Sequence, residues 1–309
     1  MASYDGRILG RGVSGPGNAF AVGWNAATAN LADALARALD DSGLRRAEIA
    51  AVGSASVEPS GEGSRPIRAA IHRVLGRGRV KALGDMQIAL EGALGGGVGV
   101  VIVSGTGSVV FGRNRSGATF KVGGWGAVMG DEGSAQWIAR QALAGAAHAV
   151  DGTGPRTRLV PTFLRHFRAR SLHGTVGLVY RDTTPRALGA LAPLVVGAAR
   201  EGDGVARSIL RRGGEALAAQ AAAAIRRLRL RAPRVSYQGS VFRAGTVILT
   251  PLRRALQGFA PGATLAPPLL PPLGGAWLVG LEMLHVRPTR AAIAAFRRNC
   301  HDAFEGRMG

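Results

Sequence analysis

Between residues 25 and 42 apolar side chains recur at helical spacing, at Leu31, Leu35 and Leu39, and Gly43 follows as a stop, so the pattern predicts a helix there. Short apolar runs bounded by glycine or polar residues predict strands over 49–52, 80–83, 98–104, 109–113, 120–122, 235–237 and 247–249. Helical patterns are read over 65–75, 87–94, 134–143, 158–167, 184–200, 204–228 and 275–284. The start, residues 1–10, reads as a hairpin around Asp5-Gly6 with a very short first strand. The tail 285–309 is polar and basic, with a short helix expected near 291–296. Strands and helices alternate, with hairpins early in each half, which predicts an α/β architecture.

Composition narrows the class. The 309 residues are 47% hydrophobic and 19% charged, globular values that suit one large or two medium domains. No apolar run approaches the roughly 18 residues of a membrane span, and residues 1–10 hold no apolar signal-peptide core. Cys300 is the single cysteine, so neither an internal disulfide nor a thiolate metal cluster is expected, and a reducing cytoplasm fits. The net charge is +20, and Lys81 and Lys121 are the only lysines. Two readings of that charge stand: an anionic partner, or the arginine bias of a GC-rich coding sequence. Aromatics make up 5%, leaving few platforms on which bases would stack. The compositional reading is adopted, with no nucleic-acid and no membrane partner expected.

Three segments carry candidate chemistry. In Ser104-Gly105-Thr106-Gly107-Ser108 a buried strand runs into a turn whose amides and hydroxyls converge, which suits a phosphate; an ordinary glycine hairpin reads equally well. In Gly123-Gly124-Trp125-Gly126 and Gly130-Asp131-Glu132-Gly133-Ser134 two carboxylates sit among five glycines just before a helix. Asp131 or Ser134 would serve as a helix cap, but this glycine density also suits a ligand lying against backbone. Asp85 follows a strand at its carboxyl end, where open α/β sheets place ligands; an N-cap for the next helix is the other reading.

Taken in order, these segments resemble the actin-like ATPase fold, over roughly residues 1–284. The nearest branch is the N-acetylglucosamine kinases with the BadF/BadG/BcrA/BcrD ATPases. The glycine-rich run with Trp137-Ile138, the Ser104–Ser108 turn, Gln238-Gly239-Ser240-Val241 and Leu273-Gly274-Gly275-Ala276 carry the likeness. It implies a ribonuclease H-like, two-domain α/β fold with an interdomain cleft. The domains would be a sugar lobe at 1–96, a nucleotide lobe at 97–284 whose last helix returns to the first, and the tail 285–309.

The likeness also implies ATP-dependent phosphorylation of an amino sugar, most often N-acetylglucosamine to its 6-phosphate. Asp85 would be the general base. Asn18, Gly124, Asp131 and Ala135 would bind the sugar. Ser104, Gly105, Thr106, Gly107 and Ser108 would hold the phosphates of ATP, and Gly239 and Ser240 its adenosine. Mg²⁺ would accompany the nucleotide, with no protein metal ligand assigned. A cytoplasmic homodimer is implied.

The family's opening Asp-Gly-Gly-Gly-Thr-Lys-Thr type loop has no counterpart here. Either the start codon lies upstream, the favoured reading, or the protein has drifted toward low activity. Gly10 to Gly15 superficially fits a dinucleotide glycine pattern but leads into no suitable helix. A glucosamine kinase, a sugar-binding sensor without turnover and an electron-transfer ATPase of the same family are the competing functions. The last would need a cysteine-held cluster, for which Cys300 alone is insufficient.

Overall fold

The structure is a computed structural model that describes residues 1–304. In chain order its elements begin α1 (Ala19–Ser42), β1 (Ile49–Ser54), α2 (Ser64–Leu75), β2 (Arg79–Gly84) and α3 (Asp85–Leu94). Then come β3 (Gly99–Ser104), β4 (Ser108–Arg113), β5 (Thr119–Gly123), α4 (Gly126–Met129), α5 (Ala135–Val150) and α6 (Leu159–Phe167). They continue with α7 (Val176–Arg181), α8 (Pro185–Gly189), α9 (Ala192–Arg200), α10 (Gly204–Arg227), β6 (Arg234–Gln238) and α11 (Thr246–Phe259). The last are β7 (Thr264–Ala266), α12 (Pro272–Met283) and α13 (Arg290–Phe304). They form two compact units. One combines residues 1–97 with the chain from Pro268 onward, and the other is 98–267.

In the first unit β1 and β2 pair in parallel, from Ile49 opposite Arg79 to Ser54 opposite Gly84. Ile67 and Ile71 of α2 pack with Val57, Ala82, Val52, Val80 and with Leu31 and Leu35 of α1. The amphipathic spacing of α1 and α2 thus buries one stripe of each on the sheet. α3 and α12 meet closely enough that a Cβ on Gly275 would overlap the Ile88 carbonyl. At residues 1–10 Ala2 bridges Ile8 in antiparallel fashion, and the Leu9 amide donates to the Met1 carbonyl at 2.9 Å. α13 holds this hairpin down. The Phe296 ring stacks on Trp277 with centroids 4.7 Å apart, Trp277 Nε1 donates to Ser3 O at 3.0 Å, and Asn299 Nδ2 donates to Gly6 O at 3.2 Å.

The second unit is built on a five-stranded sheet of order β5-β4-β3-β6-β7. β4 runs antiparallel to β3 and β5, whereas β3, β6 and β7 are parallel. β3 is central, and its Val100, Val101 and Ile102 are fully buried, as a strand covered on both faces requires. The main core joins Val100, Ile102, Val110 and Val235 to α5, α9, α10 and α11 through Ile138, Val195, Leu217, Ala221 and Leu252.

Several expectations are corrected. Residues 247–249 are not a strand but the start of α11. Val247 and Ile248 are β-branched and suit a sheet, yet Ile248, Leu252 and Leu256 repeat every four residues and are all buried, and that helical stripe decides. The last strand is instead β7, three residues long, beside β6. The helix expected over 184–200 is two, α8 and α9, with a proline in the first turn of each. α1 begins at Ala19 and breaks at Gly23, whose φ of 78° only glycine adopts readily. The short helix expected near 291–296 runs instead over Arg290–Phe304, 15 residues, and buries Ala292, Phe296 and Cys300.

Candidate active site

In the second unit three segments far apart in sequence meet at the β3–β4 turn. Ser104 ends β3, and its Oγ donates to the Gly133 carbonyl at 2.9 Å. Ser108 opens β4, and its Oγ donates to the Glu132 carbonyl at 2.9 Å. The Ala135 amide donates to the Gly105 carbonyl at 2.8 Å. The Ser104–Ser108 turn and the 130–135 loop are therefore stitched together by buried hydroxyls and by backbone. The third segment arrives from β6. Gly239, at φ 113°, lies so close that a Cβ would overlap the Ser104 carbonyl, and Ser240 Oγ sits 3.8 Å from where a Cβ on Gly105 would stand.

Asp131 is the acid of this cluster. It is buried, and its φ of 61° is unusual for a non-glycine residue. Its Oδ1 accepts from the Ser108 amide at 3.2 Å, and Oδ2 would lie 2.8 Å from a Cβ on Gly107. Gly107 is therefore what lets the carboxylate enter the turn. The cap of α5 is Ser134, whose Oγ accepts from the Trp137 amide at 3.2 Å, so Asp131 is free of that task. Gly124, at φ 71°, donates its amide to the Ser108 carbonyl at 3.0 Å. Ala135 is buried, with its amide committed to Gly105. Beside them Trp125, at the N-cap of α4, and Val128 and Met129 on it are strongly exposed, an apolar group that periodicity does not reveal because α4 is a single turn.

Asn18 and Asp85 belong to the first unit, both at the carboxyl edge of its parallel pair. Asn18 caps α1: its Oδ1 accepts from the Phe20 amide at 3.0 Å and from Ser56 Oγ at 3.2 Å. Ser56 Oγ itself accepts from the Ala19 amide at 2.7 Å, and Ser54 Oγ donates to the Gly17 carbonyl at 3.2 Å. These two serines after β1 hold the Asn18 loop, and the sequence reading missed them. Ser54 is opposite Gly84 in the sheet, so Asp85 follows on the neighbouring strand at the same end. Asp85 is not the cap of α3. Gly84 occupies that position and donates its amide to Gln87 Oε1 at 2.9 Å, while Asp85 opens the helix and accepts from the Met86 amide at 2.7 Å. Its carboxylate stands at the positive end of a helix, where an anion is favoured.

Residues 2–276 match the model of the BadF/BadG/BcrA/BcrD ATPase family. The chain belongs to that family. Over 135 residues it is 33% identical to an N-acetylmuramic acid/N-acetylglucosamine kinase of Clostridium acetobutylicum, a match covering 43% of this chain and 44% of that protein. The chain thus spans under half the length of the curated relatives it matches. A solved structure from Chromobacterium violaceum, named as a candidate N-acetylglucosamine kinase, is 28% identical with a TM-score of 0.67, covering 88% of this chain and 90% of that one. A second, from Porphyromonas gingivalis and named in the same way, is 20% identical with a TM-score of 0.69, covering 93% and 95%. The family member therefore has the α/β fold of the actin-like sugar kinases. Among the described residues no helix is long and apolar enough to cross a membrane.

Proposed function

We propose that this ATPase-family protein transfers the γ-phosphoryl group of ATP to the 6-hydroxyl of N-acetylglucosamine. The observation that carries the reading is the meeting of the Ser104–Ser108 turn, the 130–135 loop and the Gly239-Ser240 turn in one place, three segments spread over more than 130 residues. In this reading the turn at Thr106 and Gly107 takes the phosphates, and Gly239 and Ser240 face the adenosine. Asn18, Gly124, Asp131 and Ala135 position the sugar. Asp85 accepts the proton of the attacking hydroxyl, which needs only hydrogen-bond reach. The remaining work is alignment and charge stabilisation.

Mg²⁺ fits this chemistry as a passenger of the nucleotide. Among the described residues no cluster of three His, Cys, Asp or Glu could cage an ion, and Mg²⁺ at kinase sites is held largely by phosphates and water. A carboxylate as near the turn as Asp131 repels a bare phosphate, which also favours a nucleotide that brings its cation. Bound there, Mg²⁺ would neutralise charge developing on the phosphate oxygens. The protein is taken to act as a cytoplasmic homodimer, which sedimentation would check.

The test is a coupled assay of ATP-dependent N-acetylglucosamine phosphorylation, with glucosamine as the competing acceptor. Asp85→Asn should lower kcat by about 10²- to 10⁴-fold while the sugar still raises the melting temperature. If the protein neither turns over nor gains stability with either sugar, the reading fails. Sugar stabilisation without turnover would favour the sensor.

A further inference from the structure

Exposed arginines gather at one pole of the second unit. Between Glu215 and Glu282 the sequence holds no Asp or Glu, yet Arg226, Arg227, Arg229, Arg231 and Arg234 fall within nine residues of that stretch. The fold places them together. Leu228, just beyond α10, packs on Gly112 of β4, since a Cβ there would come within 2.7 Å of its Cδ1. The Arg227 guanidinium lies 5.4 Å over the Phe120 ring of β5. Arg234 opens β6 opposite Gly99, and Gly99 is also paired with Arg113, so the β4–β5 turn with its exposed Arg115 belongs to the same end. The glycine-rich site is at the other end of β3, about 17 Å away for a six-residue strand.

Arg226, Arg227, Arg229, Arg231 and Arg234 are all exposed, and among the described residues none forms an ion pair. Two of them sit in the last turn of α10, where they also offset the negative end of the helix. That accounts for Arg226 and Arg227 but not for Arg229, Arg231 and Arg234, which follow the helix.

We infer that this pole is a binding surface for the phosphate backbone of a nucleic-acid duplex. The sequence reading counted the charge as a total and expected no such partner; the structure shows that it is concentrated. Guanidinium forks match phosphate oxygens in pairs. Of the apolar residues between them Leu228 and Pro233 are buried, Leu230 is half-buried and the exposed Ala232 carries a single methyl, so no long apolar side chain projects from this segment as insertion into a lipid surface would require. Phe120 is half-buried beneath Arg227, so its ring face is already taken and is not a platform for unpaired bases. What remains is sequence-independent contact with a duplex backbone.

The test is fluorescence anisotropy with a labelled 20-base-pair duplex of arbitrary sequence over 50–300 mM NaCl, on the whole protein. Five phosphate contacts give a slope of log K against log salt of about −4.5. The triple variant Arg226→Gln, Arg229→Gln, Arg231→Gln should bring it to about −2 and weaken binding at least tenfold at the lowest salt. The matched control is Arg165→Gln, Arg168→Gln, Arg170→Gln, three exposed arginines elsewhere in the unit. Its Arg168 has a positive φ like that of Arg229. It should change affinity less than twofold, and circular dichroism should show both variants folded. An equal loss in the control would overturn the proposal, as would no duplex binding at 50 mM NaCl. So would binding to vesicles rich in phosphatidylserine without binding to the duplex.

Discussion

Removing the ring of Phe296 should cost the first unit about 3 kcal/mol. The side chain is 1% exposed and stacked on Trp277 in a small core completed by Leu270, Leu281, Ala292 and Cys300. Phe→Ala at fully buried sites costs about 3–5 kcal/mol, and the lower end applies because so small a core collapses readily. Loss of the ring pair contributes about 0.5–1.5 kcal/mol of that total. Urea unfolding followed by tryptophan fluorescence and far-ultraviolet circular dichroism would read the change, with Phe259→Ala beside it. Phe259 is 51% exposed, and its truncation should cost under about 0.5 kcal/mol. Hydrogen exchange supplies an independent readout. Protection at Leu9 should fall together with protection in α13, because Asn299 ties that helix to residue 6 and Phe296 stacks on Trp277 of α12, which is bonded to residue 3. A cost below about 1 kcal/mol, or equal effects at Phe296 and Phe259, would refute the docking of α13.

Gly239→Ala should damage nucleotide binding more than stability elsewhere, because both its φ of 113° and its approach to Ser104 exclude a side chain. Titration with a fluorescent ATP analogue should show at least a tenfold weaker Kd, and an unchanged Kd would remove Gly239 from the site. Asp33 should titrate below the usual aspartate range. Ser14 Oγ donates to it at 2.6 Å, and Arg37 pairs with it at 2.9 Å. The resulting stability is present above the unfolded pKa and is lost as pH falls through the lower folded value. Ser14→Ala should raise the Asp33 midpoint in carbon-detected NMR; a midpoint that stays put would show that the hydroxyl is not its main partner.

Much of this was legible in the chain. The Val100 to Val103 run could only be a buried strand, and the glycines flanking Asp131 announced close backbone approach. What sequence could not convey was which segments would meet. Nothing local says that Gly239 lands on Ser104, because that contact is created by the parallel pairing of β3 with β6. The roles of Asp85 and Ser134 were ambiguous for a similar reason: one-residue differences in helix start decide which side chain caps. Residues 247–249 failed because β-branched propensity competes with helical burial over only three positions. The tail helix was expected too short because four basic residues from Arg287 to Arg298 hide the spacing of Ala292, Phe296 and Cys300, one helical face.

The first unit's chain is interrupted: it leaves at Gly97 and returns only at Pro268, after the whole second unit. During synthesis the second unit is contiguous and can fold as soon as it has emerged. The first must wait for α12 and α13, which carry Trp277 and Phe296. At about 5–20 residues per second the 170 residues of the second unit take roughly 10–35 s. For that interval β1 lacks α12, which packs on it beside α3, and the hairpin at residues 1–10 lacks α13. This half-built lobe, rather than the finished fold, is the state in which the protein is most exposed to aggregation and to proteases.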